Sequence, residues 1–156
     1  MYICNLKLNF KKIFIVLAII AVCVALFIEV NNRTKKDFDY ILTEENFTTT
    51  LQTVHDNIDE NIGKTVKLSG FIFRLPDFKK GYFVCGRNMM YMDDEKVVGF
   101  LCSYDKAVNF NDSEWVEITG IFVKGYYMSD MPVIKVESIN KITAPINTFV
   151  KAPDNL

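Results

Sequence analysis

The chain has 156 residues, with 18 Lys or Arg against 19 Asp or Glu and a formal net charge of −1. Its mean hydropathy is +0.13. That length allows one apolar segment and one domain with a single core, and is too short for two cores. From Phe38 to Leu156 there are 12 Lys or Arg against 17 Asp or Glu, a balance of −5. Nucleic-acid affinity rests on phosphate neutralisation by a basic surface, so no nucleic-acid partner is expected.

Residues 1–12 form a leader that ends in Lys11-Lys12, and Ile13 to Ile28 follow without a polar side chain. As a helix this run spans roughly 24 Å, and snorkelling of the two lysines extends it towards a hydrocarbon core of about 30 Å. The expectation is one transmembrane anchor over 13–30, with the lipid bilayer as partner. The competing reading is a secretory signal peptide, for which Cys23-Val24-Ala25 is the nearest approach to a cleavage site. Positive charges tie across the segment, Lys7, Lys11 and Lys12 against Arg33, Lys35 and Lys36, so orientation rests on the short leader. A short leader ahead of a single span places the protein in the cell membrane, single-pass, with its soluble domain extracytoplasmic.

Residues 31–40 read as a polar tether and 41–156 as the soluble module. Thr43 is the expected helix N-cap, with Glu44 and Glu45 in the first turn. Phe47, Leu51, Val54 and Ile58 then form one apolar helix stripe, ended by Asn61 to Lys64 with Gly63 in the turn. Five strands are predicted after it: Val66 to Phe73, one starting at Tyr82, Val97 to Tyr104, Trp115 to Val123 and Val133 to Ile139. Val116, Ile118, Gly120 and Phe122 share one face. Short loops and glycines within strands (Gly70, Gly86, Gly99, Gly120) suit a tightly curved barrel. The predicted fold is mainly β with one N-terminal α-helix: a five-stranded OB-like barrel, the oligonucleotide/oligosaccharide-binding type, preceded by a single transmembrane helix. A small β-sandwich is the alternative.

Ile62-Gly63-Lys64-Thr65-Val66, Gly70-Phe71, Gly86-Arg87-Asn88-Met89-Met90 and Val98-Gly99-Phe100-Leu101-Cys102 follow one another in a recognisable layout. Trp115-Val116-Glu117-Ile118-Thr119-Gly120, Pro132-Val133-Ile134-Lys135-Val136, Ala144-Pro145 and Phe149-Val150 complete it. Together they resemble the soluble domain of a bacterial family of permease subunits, over roughly Glu45 to Pro153. The resemblance implies N-terminal membrane spans, an OB-like C-terminal domain and a polytopic permease partner, hence an accessory subunit and no catalyst. Members carry a Cys-Cys pair after the Met-Met step. Here Met89-Met90 runs into Tyr91-Met92-Asp93-Asp94, so no metal or thiol role carries over from that pair.

Cys85 and Cys102 are the two cysteines of the module. A tight hairpin centred on Asp93-Asp94 pairs residues whose numbers sum to 187, as 85 and 102 do. Their Cβ atoms would then lie roughly 4.5 to 5.5 Å apart, open either to a disulfide on the oxidising side of a membrane or to two buried thiols. Two thiolates fall short of a zinc set, and Asp93-Asp94-Glu95 lacks calcium-loop spacing, so no metal and no cofactor is expected. Arg87 is a candidate for an anionic ligand, or pairs with Glu117. Met89, Met90 and Met92 suggest a soft contact surface. His55, the one histidine, reads as a surface residue without a nucleophile beside it. Tyr126 and Tyr127, after Gly125 in an expected loop, are candidate ligand or partner contacts. The expected function is a non-enzymatic, membrane-anchored accessory subunit of a permease complex. The alternative is an extracytoplasmic binding module for a small anionic ligand or oligosaccharide.

Overall fold

The computed structural model describes residues 20–21 and 37–153. Ile20 and Ala21 are helical; otherwise the expected leader, anchor and most of the tether lie outside the described residues. Among the described residues no helix is long and apolar enough to cross a membrane. The module forms a compact unit from Phe38 onward, so Asp39 and Tyr40, expected in the tether, belong to it.

In chain order the module contains β1 (Tyr40–Ile41), α1 (Phe47–Asp56), α2 (Ile58–Asn61), β2 (Thr65–Phe73), β3 (Tyr82–Tyr91) and β4 (Asp94–Ser103). A short 3-10 turn (Ala107–Asn109), β5 (Trp115–Tyr127), β6 (Ser129–Lys141) and β7 (Phe149–Val150) follow. The sheet runs β1-β2-β5-β6-β4-β3-β7, and a further β2–β3 pairing closes β2, β3, β4, β6 and β5 into a barrel. β4 and β6 pair in parallel, which with the antiparallel β2–β3, β3–β4, β5–β6 and β2–β5 pairs gives the OB-like Greek-key order. The five predicted strands are present, with β4, β5 and β6 longer than expected. β1 and β7, two residues each, add in parallel to β2 and β3 and were not expected.

Period-two alternation builds the wall. On β5, Val116, Ile118, Gly120 and Phe122 face inward, the first three opposite Gly70, Leu68 and Val66 of β2. Phe47, Phe83, Phe100 and Phe122 are each at most 1% exposed. Phe100 stands between two of them, 6.3 Å from Phe47 and 5.4 Å from Phe122 by ring centroids. Each such ring stabilises the fold by about 1.5–3 kcal/mol relative to an exposed one. Phe47 and Val54 bring the apolar side of α1 onto this core.

The helix starts later than the sequence suggests. Thr43 is not the cap; Asn46 is the N-cap residue, without a side-chain capping bond. Its Oδ1 instead accepts the Thr43 N–H at 2.7 Å and its Nδ2 donates to the Ile41 carbonyl at 3.0 Å. Those bonds favour a turn before the helix, in keeping with the habit of Asn side chains.

The β3–β4 register also differs from expectation. Tyr91 pairs with Asp94, so the turn is Met92-Asp93. Both turn residues have positive φ, 48° and 64°, the signature of a two-residue turn that matches strand twist. Core burial sets this register, because it keeps Phe83, Cys85, Phe100 and Cys102 inside together. It also sets Gly86 against Gly99, where the strands approach so closely that a Cβ on Gly99 would overlap the Cys85 carbonyl oxygen.

Candidate functional site

The two thiols are not the site. Cys85 lies opposite Phe100, and Cys102 opposite Phe83, so the cysteines are diagonal neighbours, about 7–8 Å apart in such pairs. That corrects the expectation that they face each other, and both are free. Burial pushes the Cys85 thiol up to about 12. Burial also holds the Cys102 thiol well above its ordinary value, aided by Cys85 nearby. Its S–H donates to the Phe100 carbonyl at 3.3 Å. Thiols kept protonated in this way are poor nucleophiles and poor metal ligands.

Arg87 is not free to greet a ligand either. It is the first residue past the end of the β2–β3 pairing, at Phe71↔Gly86, and shares the inward parity of Phe83 and Cys85. Only 3% of it is exposed. Its Nε donates to the Thr148 carbonyl at 3.3 Å and its Nη2 to the Asn147 carbonyl at 3.1 Å. The guanidinium lies 5.1 Å from the centre of the Trp115 ring, and Glu44, not Glu117, is its acidic neighbour at 3.8 Å. Glu117 pairs with Lys67 at 3.0 Å. Desolvation pulls the Arg87 pKa below its usual value, with Glu44 acting against it. Arg87 also borders a groove of about 570 Å³ with Thr43 and Ser69, but two of its nitrogens already hold the chain before β7. Thr48 Oγ1 donates to the Lys151 carbonyl at 2.6 Å, and Asn147 Nδ2 to Glu44 at 2.9 Å. Arg87 is thus a clamp on the C-terminal strand.

The remaining candidates converge. Tyr126 and Tyr127 end β5 rather than lying in a loop, and Met128, with φ 63°, turns the chain into β6. This hairpin meets the β2–β3 connection, residues 74–81. Tyr127 Oη donates to Asp77 Oδ2 at 2.8 Å, and the Phe78 and Tyr127 rings meet edge to face at 5.3 Å and 88°. The hydrogen bond to Asp77 and its charge hold the Tyr127 phenol above its ordinary pKa. At its base the connection is tied down by Arg74, which donates to the Ala107 and Phe110 carbonyls at 2.7 and 3.0 Å and pairs with Asp112.

Between connection and hairpin lies a cleft of about 90 Å³, walled by Asp77, Phe78, Lys79, Tyr82, Tyr126 and Tyr127 above Leu101. A second hollow of about 290 Å³ shares Phe78, Lys79 and Tyr82, and adds Lys80 and Val108. Tyr126 is 74% exposed. In an OB-type barrel, the connection between the first two strands and the hairpin of the last two border the ligand face. Tyr126 and Tyr127, expected as ligand or partner contacts, stand at this cleft, and Tyr82, expected at the start of a strand, joins them. Phe78, Lys79 and Lys80 were missed, although an aromatic beside two lysines in the first interstrand connection was the available signal. Of the other residues noted, Met89 is in the core, Met90 and Met92 are 53% and 80% exposed, and His55 is on the exposed side of α1. Among the described residues no cluster of three or more His, Cys, Asp or Glu side chains could hold a metal.

Comparison with known proteins adds three findings. UPF0703 protein YcgQ of Bacillus subtilis (strain 168) is 27% identical over 124 residues, covering 76% of this chain and 44% of that protein. The chain therefore spans less than half the length of this relative. Among solved structures, the N-terminal domain of PriB protein from Thermoanaerobacter tencongensis matches at 16% identity, a TM-score of 0.34, and coverage of 51% of this chain and 96% of that one. A small single-stranded DNA-binding protein from Streptomyces coelicolor matches at 12% identity, a TM-score of 0.34, and coverage of 53% and 94%. The expected exclusion of nucleic-acid partners, which rested on the module's net charge alone, does not stand. Net charge is a sum over the whole module, whereas Lys79 and Lys80 stand together at the second hollow. Residues 24–151 match the DUF1980 C-terminal domain, and the chain belongs to that family.

Proposed function

We propose that this protein is a non-catalytic recognition module, an accessory subunit of a membrane permease complex, that binds through the cleft between residues 74–81 and the β5–β6 hairpin. The observation that carries the reading is the convergence there of Phe78, Tyr82, Tyr126 and Tyr127 beside Lys79, with Lys80 in the adjoining hollow. A cleft whose walls are latched together by the Tyr127–Asp77 bond loses little conformational entropy on binding. The accessory role is supported by the resemblance to permease subunits and by the apolar run over 13–28. Protonated, buried thiols supply no nucleophile for a catalytic alternative.

The test uses the full-length protein. It should sediment with membranes and co-purify from mild detergent with a multi-span protein, and Tyr126→Ala with Lys79→Gln should reduce recovery of that partner or binding of its ligand without changing the unfolding midpoint. Full-length protein left unclipped in the supernatant without detergent would refute the membrane role. Recovery and binding unaffected by the double substitution would refute the cleft.

A further inference from the structure

We infer that the cleft and the hollow adjoining it accept a short run of single-stranded nucleic acid, with bases against Tyr126 and Tyr82 and phosphates against Lys79 and Lys80. This rests on the reading of the cleft as the recognition site. Its first support is aromatic exposure. Tyr126 is 74% exposed at the end of β5, and Met128 at the turn is 83% exposed. A large ring held out in water by a paired strand forgoes the burial energy it would gain in a core. Stacked against a base, the same ring contributes to binding whatever the base sequence, since every base has a π-face.

The second support is charge. The module carries a balance of −5, yet the connection between β2 and β3 presents Lys79 and Lys80 to solvent beside the rings. Among the described residues, neither lysine has a carboxylate within ion-pair distance. The nearby Asp77 carboxylate accepts the Tyr127 phenol, and Arg74 pairs with Asp112. A neutral oligosaccharide would use the rings and leave the two ammonium groups without a role. A phosphodiester strand uses both.

The third support is rigidity. The edge-to-face Phe78–Tyr127 contact and the Arg74 bonds hold both walls in place. Stacking surface and cations are therefore presented together before the ligand arrives.

The experiment titrates full-length protein in detergent micelles into a short fluorescein-labelled oligothymidylate, read by fluorescence anisotropy over a salt series. A neutral chitin oligosaccharide, followed by intrinsic fluorescence, forms the second arm. The expected result is saturable oligothymidylate binding whose log affinity falls with log salt at a slope of about −1.4, for two phosphates. Tyr126→Ala should weaken it roughly 5- to 150-fold, and Lys79→Gln with Lys80→Gln should flatten the slope. All three side chains are at the surface, so urea midpoints should stay unchanged. Absence of saturable oligothymidylate binding at low salt overturns the inference, as does binding indifferent to both sets of substitutions. Oligosaccharide binding lost in Tyr126→Ala, without oligothymidylate binding, overturns nucleic acid as the ligand and leaves the cleft standing. If neither ligand binds and Tyr126→Ala with Lys79→Gln also leaves partner recovery unchanged, the cleft reading falls as well.

Discussion

Replacing Arg87 with alanine removes a guanidinium that is 3% exposed and separates a structural role from a ligand-binding one. Two hydrogen bonds to backbone carbonyls disappear, those to Asn147 and Thr148. Bonds from charged donors stabilise by about 1.5–3 kcal/mol each, but Asn147 is exposed and Thr148 only half-buried. Water can replace part of the loss, so about 1 kcal/mol per bond is the appropriate figure. The Trp115 contact at 5.1 Å adds about 0.5–2 kcal/mol. The Glu44 pair, at 3.8 Å with Glu44 45% exposed, adds about 0–1 kcal/mol. Relief of the guanidinium's desolvation offsets some of this, since burial disfavours its charged form. The expected net loss is about 2–4 kcal/mol. It is measurable as a lower urea midpoint at constant m-value, with faster amide exchange over residues 147–151. Arg87→Lys should recover less than half of the loss, because an ammonium lacks the planar fork that spans two carbonyls. A loss below about 0.5 kcal/mol, with exchange unchanged, would refute the clamp and return Arg87 to the ligand candidates.

Gly99→Ala should destabilise by about 3 kcal/mol or more or prevent folding, because the new Cβ meets the Cys85 backbone carbonyl; Gly63→Ala, in open space at φ +84°, should cost only about 1–2 kcal/mol, and equal urea midpoints for the two would contradict the close approach. Cys85 and Cys102 should resist iodoacetamide at pH 8 in a chain carrying Cys4→Ser and Cys23→Ser, and react after urea; rapid native-state alkylation would contradict their burial. The Tyr127 latch should show a pH dependence of defined sign. The folded phenol pKa is raised, chiefly by the bond to Asp77, so its contribution is complete below the ordinary phenol pKa of about 10 and is lost as pH rises through the raised value. Absorbance titration at 295 nm should lose a tyrosine that ionises above the ordinary phenol range in Tyr127→Phe; an unchanged curve would refute the latch.

Periodicity determined much of this protein before any contact was known. Phe47, Leu51 and Val54 recur at helical spacing and α1 follows, although Ile58, expected on the same helix, begins the separate α2, and the alternation of Val116, Ile118, Gly120 and Phe122 yields β5 with that face inward. Such patterns are local, and burial of one face is enough to fix them. Tertiary structure decided what depends on register and long-range meeting. A turn at Met92-Asp93 moved Cys85 from Cys102 to Phe100, because the two-residue turn and the core had to agree along the whole hairpin. Inward parity and the gap beyond the β2–β3 pairing turned Arg87 from an apparent ligand group into a clamp on residues 147–148. The cleft itself depends on Asp77 and Phe78 meeting Tyr127 across fifty residues of chain. No local pattern records that meeting, since it exists only once the barrel closes and brings the β2–β3 connection against the β5–β6 hairpin.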